Sequence, residues 1–286
     1  MQLEFSDAEA AGALRGWLDA HGSVFVLTGA GVSTGSGIPD YRGPDGEWKR
    51  RAPITYQAFV QEPAMRARYW ARSFVGWPIV AAAQPNRAHA SLAALESRGQ
   101  LSMLVTQNVD GLHERAGHAS VIDLHGRIDQ VVCMACGTRA SRASVQMLLA
   151  EANPQWLAVT ASTAPDGDAD LDHMDFSAFQ PPACAQCGGL LKPDVVFFGE
   201  NVPRQRVHSA AAALHRADAM LVCGSSLMVY SGFRFARMAR EAGLPLAILT
   251  RGRTRADELA TLKLHADCVA TLAAAVADQV EIATNA

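Results

Sequence analysis

The apolar run at 24–27 gives way at once to Gly29-Ala-Gly-Val-Ser-Thr-Gly-Ser-Gly37, and this junction restricts the fold more than any other stretch. A short apolar run that breaks into glycines reads as a strand entering a loop. A loop that leaves a strand and enters a helix leaves backbone N–H groups free, and glycines let those groups approach a pyrophosphate closely. Gly29, Gly31, Gly35 and Gly37 suit that use, although Thr34 stands where the G-x-G-x-x-G fingerprint has its third glycine. On glycine spacing alone, a plain tight turn accounts for the stretch equally well.

Four more apolar runs of strand length follow, at 101–106, 121–124, 220–223 and 246–250, and helical patterns such as 232–242 separate several of them. Alternation of this kind predicts a parallel sheet built from βαβ units. Ser6 and Glu9 have capping-box spacing for a first helix running to about His21, and Asn86 is placed to cap a helix carrying Leu92 and Leu95, with Gly99 past its end. Between 38 and 84 aromatics mix with prolines and arginines, as in a lid or a small helical insertion. Between 127 and 191 the periodicity is lost.

Composition excludes several classes. At about 150 residues per domain, 286 residues predict one large domain or one carrying a smaller module. The chain is 49% apolar with a net charge of −3, so neither a disordered polyelectrolyte nor a strongly basic nucleic-acid binder fits. No run of about 18 apolar residues is present for a membrane span. The first twenty residues hold Arg15 among several acids, unlike a secretory signal or a transit peptide, so a cytoplasmic location is expected.

Four of the six cysteines form two C-x-x-C pairs, Cys133 with Cys136 and Cys184 with Cys187, each followed by a glycine. Four thiolates suit a closed tetrahedral zinc site, which has no open position for substrate and is therefore structural. The 47 residues between the pairs exceed a compact ribbon, but loop-closure entropy grows only logarithmically. A redox C-x-x-C and two unrelated pairs are the competing readings. Cys223 and Cys268 read as buried thiols at strand ends.

Polar residues gather where the apolar strands end. Gln107, Asn108 and Asp110 follow the strand at 101–106, at the carboxyl edge where open parallel sheets bind ligands; an Asn-rich turn with a capping Asp is the plainer account. His125, in Asp123-Leu-His-Gly126, ends another strand and has the side chain best suited to exchange a proton near neutral pH, although a lone histidine is usually structural. Lys192-Pro-Asp-Val-Val-Phe-Phe-Gly-Glu200 reads on its own as a core strand, and Cys223-Gly-Ser-Ser-Leu-Met-Val229 as a strand-to-helix cap.

Together these stretches resemble the sirtuins. Gly29 to Arg42 matches GAG-x-S-x-x-SGIPD-aromatic-R, and Thr106 to Gly117 matches TQN-[IV]-DGLH-x-x-AG. His125 lies in the LHG motif, and 224–229 follows G-[TS]-S-L-x-V. The resemblance runs from about 24 to 268. It implies an α/β fold: a Rossmann-like parallel sheet with helices on both faces, a small inserted zinc-binding module and a helical insertion. In that reading 1–126 and 192–286 form the NAD-binding domain, with the insertion at about 41–85, and 127–191 form the zinc module.

The resemblance also implies the site. NAD, consumed as cosubstrate, would lie with its phosphates on Gly29, Ala30, Gly31 and Ser33, aided by Asp40, Tyr41 and Arg42. Its nicotinamide end would lie by Gln107, Asn108, Val109 and Asp110. Gly224, Ser225, Ser226, Thr250, Arg251, Gly252 and the backbone of Cys268 would touch the rest. His125 is then the general base, with Asn108 beside it, and Val196 and Phe198 line the tunnel for an acyl-lysine whose peptide adds as a strand. The implied reaction transfers the acyl group from lysine to ADP-ribose with release of nicotinamide. Mono-ADP-ribosyl transfer to protein and a non-catalytic NAD-binding module are the alternatives. The implied partner is acylated lysine in proteins or peptides, with no membrane and no specific nucleic acid.

Within the family, Arg68 to Pro78, the turn at 164–168 and Val229-Tyr-Ser-Gly232 look like the class II branch. Two departures stand out. Thr250 occupies the place where sirtuins commonly have an Asn that holds the adenosine ribose. Tyr69 and Arg72 have the Y-x-x-R spacing used to read acidic acyl chains, on flanks that match class II; an exposed Arg on a helix is the plainer reading.

Overall fold

The computed structural model describes residues 6–41, 43, 45, 47, 53–161, 168, 169, 171 and 174–277. These form nine strands: β1 Val24–Thr28, β2 Leu101–Thr106, β3 Val121–Asp123, β4 Gly126–Cys133, β5 Arg139–Ser141, β6 Leu191–Val195, β7 Ala219–Cys223, β8 Leu246–Leu249 and β9 Leu262–Leu264. The α-helices are α1 Asp7–Asp19, α2 Tyr56–Gln61, α3 Pro63–Ala82, α4 Arg87–Ser97, α5 Leu112–Arg115, α6 Arg142–Ala152, α7 Arg204–Leu214, α8 Tyr230–Glu241 and α9 Cys268–Ala277.

Six strands make one sheet in the order β3-β2-β1-β7-β8-β9, every pair parallel. Counted within the sheet alone this is 3-2-1-4-5-6, the doubly wound Rossmann order, and the order reverses between β1 and β7. The chain therefore leaves β1 and β7 in opposite senses and opens a crevice beyond their carboxyl ends. The stretches 29–37 and 224–229 both emerge there.

Side chains of β1 alternate between two cores, as a period of two requires. Val24 and Val26 pack with Leu14 and Leu18 of α1, Leu92 and Leu95 of α4 and Leu272 of α9. Phe25 and Leu27 pack on the other face with Leu214 of α7 and Phe235 of α8. Covered on both faces, β1 is buried along its whole length, which explains its unbroken apolar sequence. Ser6 and Glu9 do form the capping box of α1, and the Asn86 carboxamide oxygen accepts from Ala88 N–H at the start of α4.

A second, antiparallel sheet has the order β5-β4-β6. It packs, through Leu191 and with Val145 and Leu149 of α6, against Phe59 of α2 and Trp70 and Phe74 of α3, so the helices near 56–82 and the cysteine-bearing segment share one core. Arg142, fully buried, lies over the rings of Trp70 and Trp77 at 5.6 and 5.1 Å and donates to Ser73 O.

Several expectations need correction. α1 stops at Asp19, and α8 begins at Tyr230 rather than 232. The glycine stretch, read as loop, holds two 3₁₀ turns, Ala30–Val32 and Thr34–Ser36. Cys268 is not at a strand end: it opens α9, and its thiol donates to Gly31 O at 3.1 Å. The stretch 127–191 is partly regular, holding β4, β5 and α6. Arg42 and most of the turn at 164–168 lie outside the described residues.

Candidate active site

The loops after β1 and β7 touch. A Cβ on Gly29 would lie 2.9 Å from Gly224 O, and one on Gly31 2.9 Å from both Gly224 Cα and its oxygen. Gly224 itself has φ +60° and would meet Val32 N at 2.5 Å. Glycine is thus required here for backbone to pass backbone, a use beyond the anion approach that spacing suggested.

Beside this contact, Asn108 donates through Nδ2 to Gly29 O at 3.1 Å and to Ser33 Oγ at 3.0 Å. Ser33 passes its own hydrogen to Asp110 Oδ2 at 2.7 Å, and Asp110 Oδ1 accepts from Leu112 N–H. Burial pushes the Asp110 carboxyl above its ordinary range, against the lowering effect of these two hydrogen bonds. Gln107 donates through Nε2 to Ser225 Oγ at 2.8 Å, linking the end of β2 to the loop after β7.

His125 stands just beyond β3. Its Nδ1 is 2.9 Å from the Gln107 carbonyl oxygen, which can only accept, so Nδ1 carries the hydrogen. Nε2 therefore presents its lone pair, 2.8 Å from Ser231 Oγ in the first turn of α8. Burial, aided by the Arg206 guanidinium and resisted by the bond to Gln107, pushes the imidazole down to about 4.

These groups line one cavity of about 750 Å³, within the common range for ligand sites. Its wall brings together every described residue of the expected cofactor set: Gly29, Ala30, Gly31, Ser33, Asp40, Tyr41, Gln107, Asn108, Val109, Asp110, Gly224, Ser225, Ser226, Thr250, Arg251, Gly252 and Cys268. Val196 and Phe198 line it too. Val196 N–H donates to His125 O at 2.7 Å, and Phe198 bridges Thr55 at the start of α2, so the segment after β6 is held by His125 and α2 rather than continuing a core strand. Arg72 is absent from the wall, though Tyr69 is on it. The Arg72 Nε donates to Ala169 O at 2.8 Å and its carbonyl accepts from Ala169 N–H. Arg72 is half-buried rather than an exposed helix residue.

Sequence reading missed Ser231 as a site residue, because a serine opening a helix signals a cap. It also missed Asp168, buried on the cavity wall.

The four paired cysteines converge, with all Sγ atoms within 4.8 Å of one another. Cys133 and Cys187 are 3.5 Å apart, Cys136 and Cys184 3.8 Å. Tetrahedral sulfurs at about 2.3 Å from zinc would be spaced by about 3.8 Å, so the cluster fits that ion and a structural role. Gly137 and Gly188, at φ +74° and +70°, turn the chain behind each second cysteine.

Beside the glycine crevice of a parallel sheet and its four-cysteine module stands a direct match: the Sir2 family model covers residues 29–231, and the chain belongs to the Sir2 family. Among relatives, it is 60% identical over 260 residues to an NAD-dependent protein deacetylase of Xanthomonas axonopodis pv. citri, covering 91% of this chain and 89% of that one. It is 56% identical over 276 residues to an NAD-dependent protein deacetylase of Bordetella bronchiseptica, covering 96% and 100%. A solved structure described as Sir2-p53 peptide-NAD+ aligns with TM-score 0.72 at 30% identity, covering 94% of this chain and 98% of that one.

Proposed function

We propose that this chain is an NAD-dependent protein lysine deacylase, acting first on acetyl groups, that moves the acyl group onto ADP-ribose and releases nicotinamide. The observation that carries the reading is His125: an imidazole fixed with Nδ1 protonated and its Nε2 lone pair in the cavity shared by the glycine loop and Asn108.

NAD supplies a glycosidic bond whose cleavage yields an electrophilic ribose carbon. The loops at 29–33 and 224–226 would hold its phosphates, although the N–H groups of Gly29, Gly31, Val32, Ser33 and Gly224 already donate to backbone carbonyls, and Asn108 and Asp110 would hold the nicotinamide end. The Asp110 carboxyl is poised to bond a carboxamide. Burial keeps water away, so the acyl-lysine carbonyl oxygen is the nucleophile at hand. His125 Nε2 then takes the proton of a ribose hydroxyl that attacks the captured acyl carbon. An extended peptide would add beside the segment 195–200, where main-chain pairing recognises many sequences. In this reading 1–126 and 192–286 form the NAD-binding domain, 127–191 the zinc module, and the protein is cytoplasmic; no described helix is long and apolar enough to cross a membrane.

The test incubates the protein with NAD and an acetyl-lysine peptide and follows nicotinamide, free lysine peptide and O-acetyl-ADP-ribose by mass spectrometry. His125→Ala should abolish the last two. Equal turnover by His125→Ala would refute the assignment, and label from NAD retained on acceptor protein would replace deacylation with ADP-ribosyl transfer.

A further inference from the structure

We propose that Ser231 is a positioning residue for the base: its hydroxyl holds Nε2 of His125 before reaction and supports the protonated ring afterwards. The inference rests on the deacylase reading above and goes beyond it in giving the base a side-chain partner.

The geometry leaves little choice of roles. With Nδ1–H committed to the Gln107 carbonyl, Nε2 has one in-plane lone pair and no hydrogen. Ser231 Oγ at 2.8 Å must therefore be the donor in the state described. Both side chains face the cavity, and Ser231 is 8% exposed. A ribose hydroxyl that delivers its proton to Nε2 takes the serine's place on that lone pair. The ribose O–H bond breaks, the Nε2–H bond forms, and no other proton moves. Ser231 Oγ, still within reach, then rotates from donor to acceptor and shares the new Nε2–H.

That second contact is the stronger one, because a hydrogen bond from a charged ring is roughly twice as strong as a neutral one. It also falls where help is needed, since both burial and the Arg206 guanidinium oppose a cationic imidazole. Placement is firm. A Cβ on the neighbouring Gly232 would lie 2.4 Å from Gln107 Oε1, so the first turn of α8 is pressed against the residue whose carbonyl holds Nδ1. Gln107 and Ser231 thus grip the ring from its two nitrogens.

The experiment compares the full chain with Ser231→Ala and Ser231→Thr, NAD and an acetyl-lysine peptide being the probes. Two half-reactions are read: exchange of labelled nicotinamide into NAD, which needs no base, and formation of O-acetyl-ADP-ribose, which does. Ser231→Ala should slow product formation by about 10- to 100-fold, the range spanned by one hydrogen bond to a charged group. Exchange should fall far less, and Ser231→Thr, which keeps the hydroxyl, should restore most of the product. The ¹⁵N shift of His125 Nε2 should move toward an unbonded lone pair in the Ala variant only. Product formation within twofold of wild type in Ser231→Ala, equal loss of both half-reactions, or an unchanged ¹⁵N shift would overturn the inference. Wild-type protein that yields neither exchange nor product would sink the deacylase reading instead, and the ¹⁵N comparison would still decide on Ser231.

Discussion

Acidifying the assay from pH 7.5 to 5.5 should leave the base of this enzyme almost untouched. A histidine at its ordinary value near 6.5 would be neutral in only about a tenth of molecules at pH 5.5, and kcat/KM would fall about tenfold. His125 is pushed down to about 4, chiefly by burial. The sign follows directly: a lowered value keeps the ring neutral further into acid. At pH 5.5 roughly 97% of molecules would retain the free base, a loss too small to notice. The assay is kcat/KM for O-acetyl-ADP-ribose formation between pH 5.5 and 8, paired with an NMR titration of the His125 ring. The ring titration is needed because the Asp123 carboxyl, two positions before His125, is pushed up to about 7, chiefly by burial, and so titrates in this window. A ring midpoint near 6.5, with a tenfold drop in kcat/KM, would refute the claim that burial sets the basicity of His125.

Four further outcomes are expected. Chelation should remove about one zinc per chain and lower the melting temperature, and Cys184→Ser should bind none, because metal affinity in such sites is folding free energy; metal analysis alongside calorimetry checks both. Gly31→Ala should cost about 1–3 kcal/mol by overpacking and weaken NAD binding measured by calorimetry, since its Cβ must push the Gly31 and Gly224 backbones apart. Gly37→Ala, with φ +83° and nothing within 4 Å, should cost about 1–2 kcal/mol without forcing the loops apart. Succinyl-lysine peptide should be turned over no better than acetyl-lysine peptide, and Arg72→Ala should not change that ratio, because the guanidinium is engaged with Ala169 O.

The centre of the large sheet was readable because β1, β7 and β8 are buried along their whole length and so appear as apolar runs bounded by polar residues. β2 coincides with the expected run at 101–106, and the expected start of β3 and end of β7 hold. β9 escaped notice because three residues carry no usable period. α6 escaped because Met147 and Leu148 on it are exposed, which blurs its apolar stripe. Site residues inside contiguous motifs were legible. Ser231 was not, because its meaning depends on a bond to a ring more than a hundred positions earlier, and spacing along the chain does not encode that approach. Arg72 shows the converse: its spacing from Tyr69 suggested a ligand, while its contact with Ala169 arises only when the two segments fold together.

The chain departs from the neighbourhood of the large sheet along β4 and comes back along β6, and these two strands are bonded side by side, with Gly126 opposite Val195. Outbound and homebound paths therefore meet at a narrow neck. Whatever lies beyond the neck can grow or shrink without stretching the parent sheet, much as a domain spliced in at adjacent ends is tolerated. Within the long spacer between the cysteine pairs, only the stretches apart from Arg142 and Ala169, which are fastened to α3, have that freedom.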